Sequence, residues 1–119
     1  MNIVFTTTGG DLNAPLDPRF GRAARFLVYN SDTAGCELVD NQNLNASHGA
    51  GIQAAETVVG LGAKALVTGH CGPKAFRVLQ AAGVAIYTTE AATVAEALAL
   101  YREGKLSRAL TANAQGHRP

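Results

Sequence analysis

The chain is poor in the residues that mark specialised classes. It has no tryptophan and one methionine, and aromatics make up 6% of its 119 residues. Two cysteines, Cys36 and Cys71, are too few for a disulfide framework. Both are expected to be free, which suits a reducing cytoplasm. Charged residues are only 16% of the chain and the net charge is +1, so no global field draws it to nucleic acid or to an acidic membrane. No run approaches the roughly 18 apolar residues of a membrane span. Met1-Asn2-Ile3-Val4-Phe5 also lacks the basic region and long apolar stretch of a signal peptide. Neither nucleic acid nor membrane is therefore expected as a partner, and any basic site must be local.

What is present reads as one globular domain over residues 1–119, with a polar, frayed tail over about 111–119. The apolar fraction is 47%, enough for a packed core. Residues 2–8 are β-branched and aromatic up to Gly9-Gly10 and predict a first strand. Residues 11–25, with Pro15, Pro18 and Gly21, predict a long loop. Residues 26–29 and 37–39 predict an antiparallel hairpin around Ser31 to Gly35. A polar loop, Asn41 to His48, leads to a helix over about 49–61. Residues 65–68 then suit a strand buried on both faces. Pro73 opens a second helix that Gly83 closes, and residues 84–87 form a further strand. Thr93 with Glu96 is the capping-box pattern of a third helix, ended by Gly104. The order β-β-β-α-β-α-β-α predicts an α/β fold in three layers, a mixed sheet of about five strands with helices on both faces.

Ligands of open α/β sheets bind beyond the carboxyl ends of the parallel strands. Three segments are expected to meet there: residues 9–25, 69–74 and 88–92. The helix starting at Pro73 aims unpaired amides at that edge, which suits an anion, and Gly69 and Gly72 allow close approach of a guest. Arg19, Arg22 and Arg25 lie within seven residues beside Phe20. Singly, each is best read as solvated or paired with Asp11 or Asp17; together they make an anion site. Lys74 stands in the first turn of the same helix. His70-Cys71 is the sharpest local feature, because a thiolate at a helix N-terminus has a lowered pKa and becomes a soft metal ligand. The plain alternative is an inert buried thiol beside a loop histidine. Two adjacent ligands do not make a structural zinc site. His48 is a weak third candidate, His117 is weaker still, and Cys36 takes no role.

Asp17-Pro18-Arg19-Phe20-Gly21-Arg22-Ala23 resembles the D-x-R-F-G-R-A signature of the dinitrogenase iron–molybdenum cofactor biosynthesis family. That group includes NifX-like carriers, the C-terminal domain of NifB and the molybdenum–copper orange protein. Gly69-x-x-Gly72-Pro73-Lys74-Ala75, Gly83-Val84, and Thr93-Val94-x-Glu96-Ala97 through Gly104-Lys105-Leu106 follow in matching order over roughly residues 1–106. The resemblance implies a ribonuclease-H-like fold and non-covalent carriage of an anionic molybdenum-containing metal–sulfide cluster, of Mo–Cu or Fe–Mo type, without catalysis. It implies a donor or acceptor protein as partner. Carried onto this chain, it makes Arg19, Phe20, Gly21, Arg22 and the turn Gly69, His70, Cys71, Gly72, Lys74 the candidate site. His70-Cys71 departs from the family pattern, so the resemblance supports the anion pocket more than ligation by that pair.

Two other readings compete. His70-Cys71 followed by Arg77 matches the H-C-x5-R phosphate loop of cysteine phosphatases. Against it, Pro73 and Lys74 belong to the expected helix, and Val78 lacks the hydroxyl usual there. A metal-free interaction module is the other.

Overall fold

The computed structural model describes residues 1–42 and 49–111. His48 and His117 lie outside them. Six strands and three helices follow in the order β1 (Asn2–Thr7), β2 (Arg25–Asn30), β3 (Cys36–Asp40), α1 (Ala50–Gly60), β4 (Ala63–Thr68), α2 (Pro73–Ala81), β5 (Ala85–Thr88), α3 (Val94–Arg102) and β6 (Ser107–Arg108). The sheet order is β3-β2-β1-β4-β5-β6. β1, β4 and β5 are parallel, while β2, β3 and β6 add antiparallel edges. The sheet thus has one strand more than the sequence suggests. β6 is two exposed residues against Tyr87 and Thr88, with no alternating pattern to betray it. Gly62, Gly83 and Gly104 each follow a helix with positive φ, as their spacing anticipates.

Alternation along the strands divides the core in two. Val4, Phe26, Val28, Leu66 and Ile86 pack with Ala54, Ala55 and Val58 of α1 and with Ala75, Phe76 and Leu79 of α2. Their neighbours Ile3, Phe5, Leu27, Ala65 and Val67 pack instead with Val94, Ala97 and Leu98 of α3. Each helical set recurs at three- and four-residue spacing, the period that puts an apolar stripe on one side of a helix. Among the described residues, no helix is long and apolar enough to cross a membrane.

The long loop from residue 8 to 24 is stitched down along its length. The Thr7 hydroxyl donates to Pro15 O (2.8 Å) and the Leu16 N–H to Ala92 O (3.0 Å). The Asp17 N–H donates to Thr6 O (2.8 Å), and the Thr6 hydroxyl returns a bond to Asp17 O (2.6 Å). Farther on, the loop runs parallel to the turn after β4. His70 N–H donates to Pro18 O (2.7 Å) and Phe20 N–H to His70 O (3.2 Å), an isolated bridge between Arg19 and His70. This approach needs a glycine at 69: a Cβ there would stand 2.7 Å from Pro18 Cα and 2.9 Å from Pro18 O.

Gly69→Ala therefore forces two backbones apart and is expected to destabilise the fold by about 1–3 kcal/mol in denaturant unfolding. Gly72→Ala, whose added Cβ meets nothing within 4 Å, is expected to change stability by no more than about 0.5 kcal/mol. Equal effects at the two positions would contradict the close approach.

Candidate functional site

Both halves of the predicted site lie at the carboxyl edge of the sheet, and their backbones are hydrogen-bonded to each other. A groove of about 360 Å³ opens beside that junction, lined by Phe20, Gly21, Arg22, Gly49, Ala50, Gly51, Ile52, Gly72, Pro73, Lys74 and Ala75. Three separate stretches of sequence supply it: the arginine loop, the start of α1 and the start of α2.

The two helix ends are the dominant feature. α1 is preceded by Gly49 in the left-handed region (φ 74°) and α2 by Gly72. Among the described residues neither has a side-chain cap, and neither has an acidic residue in its first turn. The first intrahelical bonds are Gln53 N–H to Gly49 O and Phe76 N–H to Gly72 O. The amides before them, at residues 50, 51, 52, 74 and 75, have no carbonyl within the helix to meet. α3 is the contrast. The Thr93 hydroxyl accepts from Glu96 N–H, while Val94 and Ala95 donate to Ala14 O (3.0 Å) and Leu12 O (2.7 Å) of the long loop. The protein closes this helix end itself, whereas among the described residues no side chain caps the other two, whose first turns line the groove. Each contributes about half a positive charge, and Arg22 and Lys74 are the ionisable residues among the groove's lining.

Several sequence-predicted residues fall elsewhere. Arg19 does not line the groove; its Nε bonds the buried carboxylate of Asp17 (3.3 Å), as does its own N–H (2.9 Å). Arg25 sits in β2 and pairs with Asp40 (3.3 Å). Gly69 serves the close approach to Pro18. His70 is exposed and joins the loop through its backbone. Segment 88–92 is consumed by bonds to the loop and to β4 rather than by the groove; Thr89 N–H donates to Thr68 O (3.0 Å). Its place in the expected trio is taken by Gly49 to Ile52. That start was legible in Gly49-Ala50-Gly51, a helix entry with small residues and no capping side chain.

Cys71 reverses an expectation. Its side chain belongs to the core beneath α2 and is wholly buried. Burial pushes the thiol from its ordinary 9.0 up to about 12, because desolvation of the thiolate outweighs the favourable helix end. Among the described residues, no three His, Cys, Asp or Glu side chains gather closely enough to hold a metal ion. Arg77 lies on the exposed side of α2, within the helix.

The displaced pKa has a sign that can be tested. The unfolded thiol loses its proton near pH 9 while the folded one keeps it to about 12. This contribution is therefore fully present below pH 9 and is lost as pH rises toward 12. Cys71→Ala should lower neutral stability by about 1 kcal/mol for the lost sulfur and flatten the alkaline fall in unfolding free energy. In thiol titration of the native protein, exposed Cys36 should react at once and Cys71 only on unfolding. Two fast thiols would refute the buried placement.

The same architecture occurs in known proteins. The apo form of the orange protein from Desulfovibrio gigas superposes with a TM-score of 0.91 at 43% identity, covering 94% of this chain and 95% of that one. The NMR structure of a NifB-like protein from Thermotoga gives 0.85 at 32% identity, covering 97% and 98%. A protein of Methanocaldococcus jannaschii is 30% identical over 99 residues, 81% of this chain and 84% of that protein. The family model of the dinitrogenase iron-molybdenum cofactor matches residues 1–104, a span that takes in every wall of the groove, and this chain belongs to that family.

Proposed function

We propose that the protein carries a preformed, anionic, molybdenum-containing metal–sulfide cluster in the groove between the arginine loop and the starts of α1 and α2, and that it catalyses no reaction. The observation that carries this reading is the convergence of two uncapped helix ends with Arg22 and Lys74 in one groove. Such a lining offers N–H donors and positive charge but no open ligand set. It suits a guest whose metals are already saturated by sulfide and whose surface is polarisable and negative. A groove of about 360 Å³ leaves room for a small cluster. Phe20, Ile52 and Ala75 add apolar contact for sulfide faces.

In this reading Arg22, Lys74, Gly21 and Gly72 touch the guest, and Arg19, Gly69 and His70 hold the loop that forms the wall. Cys71 as a direct ligand would require its thiol to leave the core, whereas His70 is exposed. The cluster is of Mo–Cu or Fe–Mo type, a donor or acceptor protein exchanges it, and the two free thiols fit a reducing cytoplasm. The alternation of the two core clusters supports assigning a three-layer, ribonuclease-H-like class, with α1 and α2 on one face and α3 on the other. A phosphatase reading is disfavoured by a thiol held protonated to about pH 12 and by an arginine fixed in a helical turn.

Protein purified from its own host is expected to contain molybdenum and acid-labile sulfide, with visible charge-transfer absorption; repeated metal-free isolation would argue for an interaction module. Each charged contact is worth roughly 1.5–3 kcal/mol. Arg22→Ala with Lys74→Ala should accordingly weaken uptake of a copper–thiomolybdate anion by about a hundredfold or more and flatten its salt dependence. Arg19→Ala should cost stability more than binding. Uptake indifferent to Arg22 and Lys74 would take the groove out of the account.

A further inference from the structure

The groove's arginine stands on a turn that is held from behind. Asn41 follows β3 directly and is 3% exposed. Its side-chain amide donates to Gly21 O (3.2 Å) and Ala23 O (2.8 Å), and its backbone N–H donates to Ala24 O (2.9 Å). The two carbonyls accepting from the side chain belong to the residues on either side of Arg22. Nδ2 has two hydrogens, one for each of them; an ionised aspartate has none, and a serine has one. Burial of an amide is costly without such partners, so the bonds are an organised feature of the turn.

The opposite flank is fixed as well. Phe20 N–H is tied to His70 O (3.2 Å). Gly21 lies so near the start of α1 that a Cβ there would be 3.0 Å from Gly51 Cα and 3.1 Å from Gly51 N. With the carbonyls of both its neighbours held, and with Ala23 N–H donating to Phe20 O (3.5 Å), the arginine is presented from a preset backbone. Binding then loses less to ordering the loop.

We infer that Asn41 is a positioning residue of the groove, clamping the Gly21 and Ala23 carbonyls so that Arg22 is delivered to an anionic guest. It is not itself among the groove's lining residues and acts on the groove from behind, through the backbone carbonyls of Gly21 and Ala23. The inference rests on the cluster-carrier reading, and its test has one arm that does not.

In ligand-free protein, Asn41→Ala should speed amide hydrogen exchange at Gly21, Arg22, Ala23 and Ala24 by about tenfold beyond any change at Leu66 and Val67 in β4. In binding of a preformed copper–thiomolybdate anion, followed by its visible absorption, Asn41→Ala and Arg22→Ala should each weaken affinity by about tenfold. The double variant should be no weaker than Arg22→Ala alone, since Asn41 acts through that side chain. Asn41→Ser, with one donor, should recover part of the loss, and Asn41→Asp should recover none. Additive losses, or full binding by Asn41→Ala, would overturn the inference. Wild-type protein that fails to take up the probe would count against the cluster reading. The exchange arm then decides alone, and unchanged exchange across residues 21–24 would overturn the positioning role.

Discussion

Two stretches of backbone, Pro18 to Phe20 and the turn at His70, approach closely enough to exchange hydrogen bonds of 2.7 and 3.2 Å. They can do so only because residue 69 has no side chain to hold them apart. Everything at the carboxyl edge depends on that contact. It places the arginine loop beside the start of α2, and Gly21 then meets Gly51 at the start of α1. The groove is the space that these two glycine-mediated approaches leave open. A protein interior is packed too tightly to absorb an added methyl at such places without moving backbone, so the wall of the groove and the stability of the fold are fixed by the same atoms.

The second constraint is electrostatic and comes from how the helices begin. A helix N-terminus always carries amides that its own turns do not satisfy. The chain closes one such end with Thr93, Ala14 and Leu12, and leaves two to face a common space. A capping serine or aspartate at residue 72 would add only a few tenths of a kcal/mol, and it would place a competing acceptor where an anion is proposed to bind; at residue 49 the positive φ of 74° disfavours any side chain. Glycine at both positions supplies no capping side chain. The loop's other arginines do not add to this field in the groove: Arg19 neutralises the buried Asp17 and Arg25 pairs with Asp40. Arg22 is therefore the loop's contribution, and its backbone is fixed by Asn41 on one side and by His70 and Gly51 on the other.

Much of this was legible in the sequence, and the parts that were not share a cause. The β-branched and aromatic runs Ile3-Val4-Phe5 and Phe26-Leu27-Val28, the capping pair Thr93 and Glu96, and Gly83 after α2 are local signals, and each element appears where they point. The signature around Arg19 and the Gly69-x-x-Gly72-Pro73 turn gave the family and its edge of the sheet. Local signals do not state which distant residue a side chain will meet. Arg19 and Arg22 look alike in sequence, yet Arg19 is turned to Asp17's buried carboxylate while Arg22 lines the groove. Cys71 reads as an activated thiol from its place before a helix, but its direction is set by core packing, which raises its pKa. Asn41 reads as one polar residue of a loop until the fold sets it behind Arg22. β6 gains its pairing from β5 alone and carries no pattern of its own.

The central claim is that open amides from two helices and one loop receive a single inorganic anion. Nitrogen-15 NMR of the intact protein, titrated with a preformed copper–thiomolybdate anion, tests it amide by amide. The account predicts that the largest shift changes fall together on residues 21–22, 50–52 and 74–75, with Ala95 and Glu96 at the closed end of α3 unmoved. Shifts concentrated at the start of α3, or around Cys36 and Leu38 on the far edge strand, would contradict it.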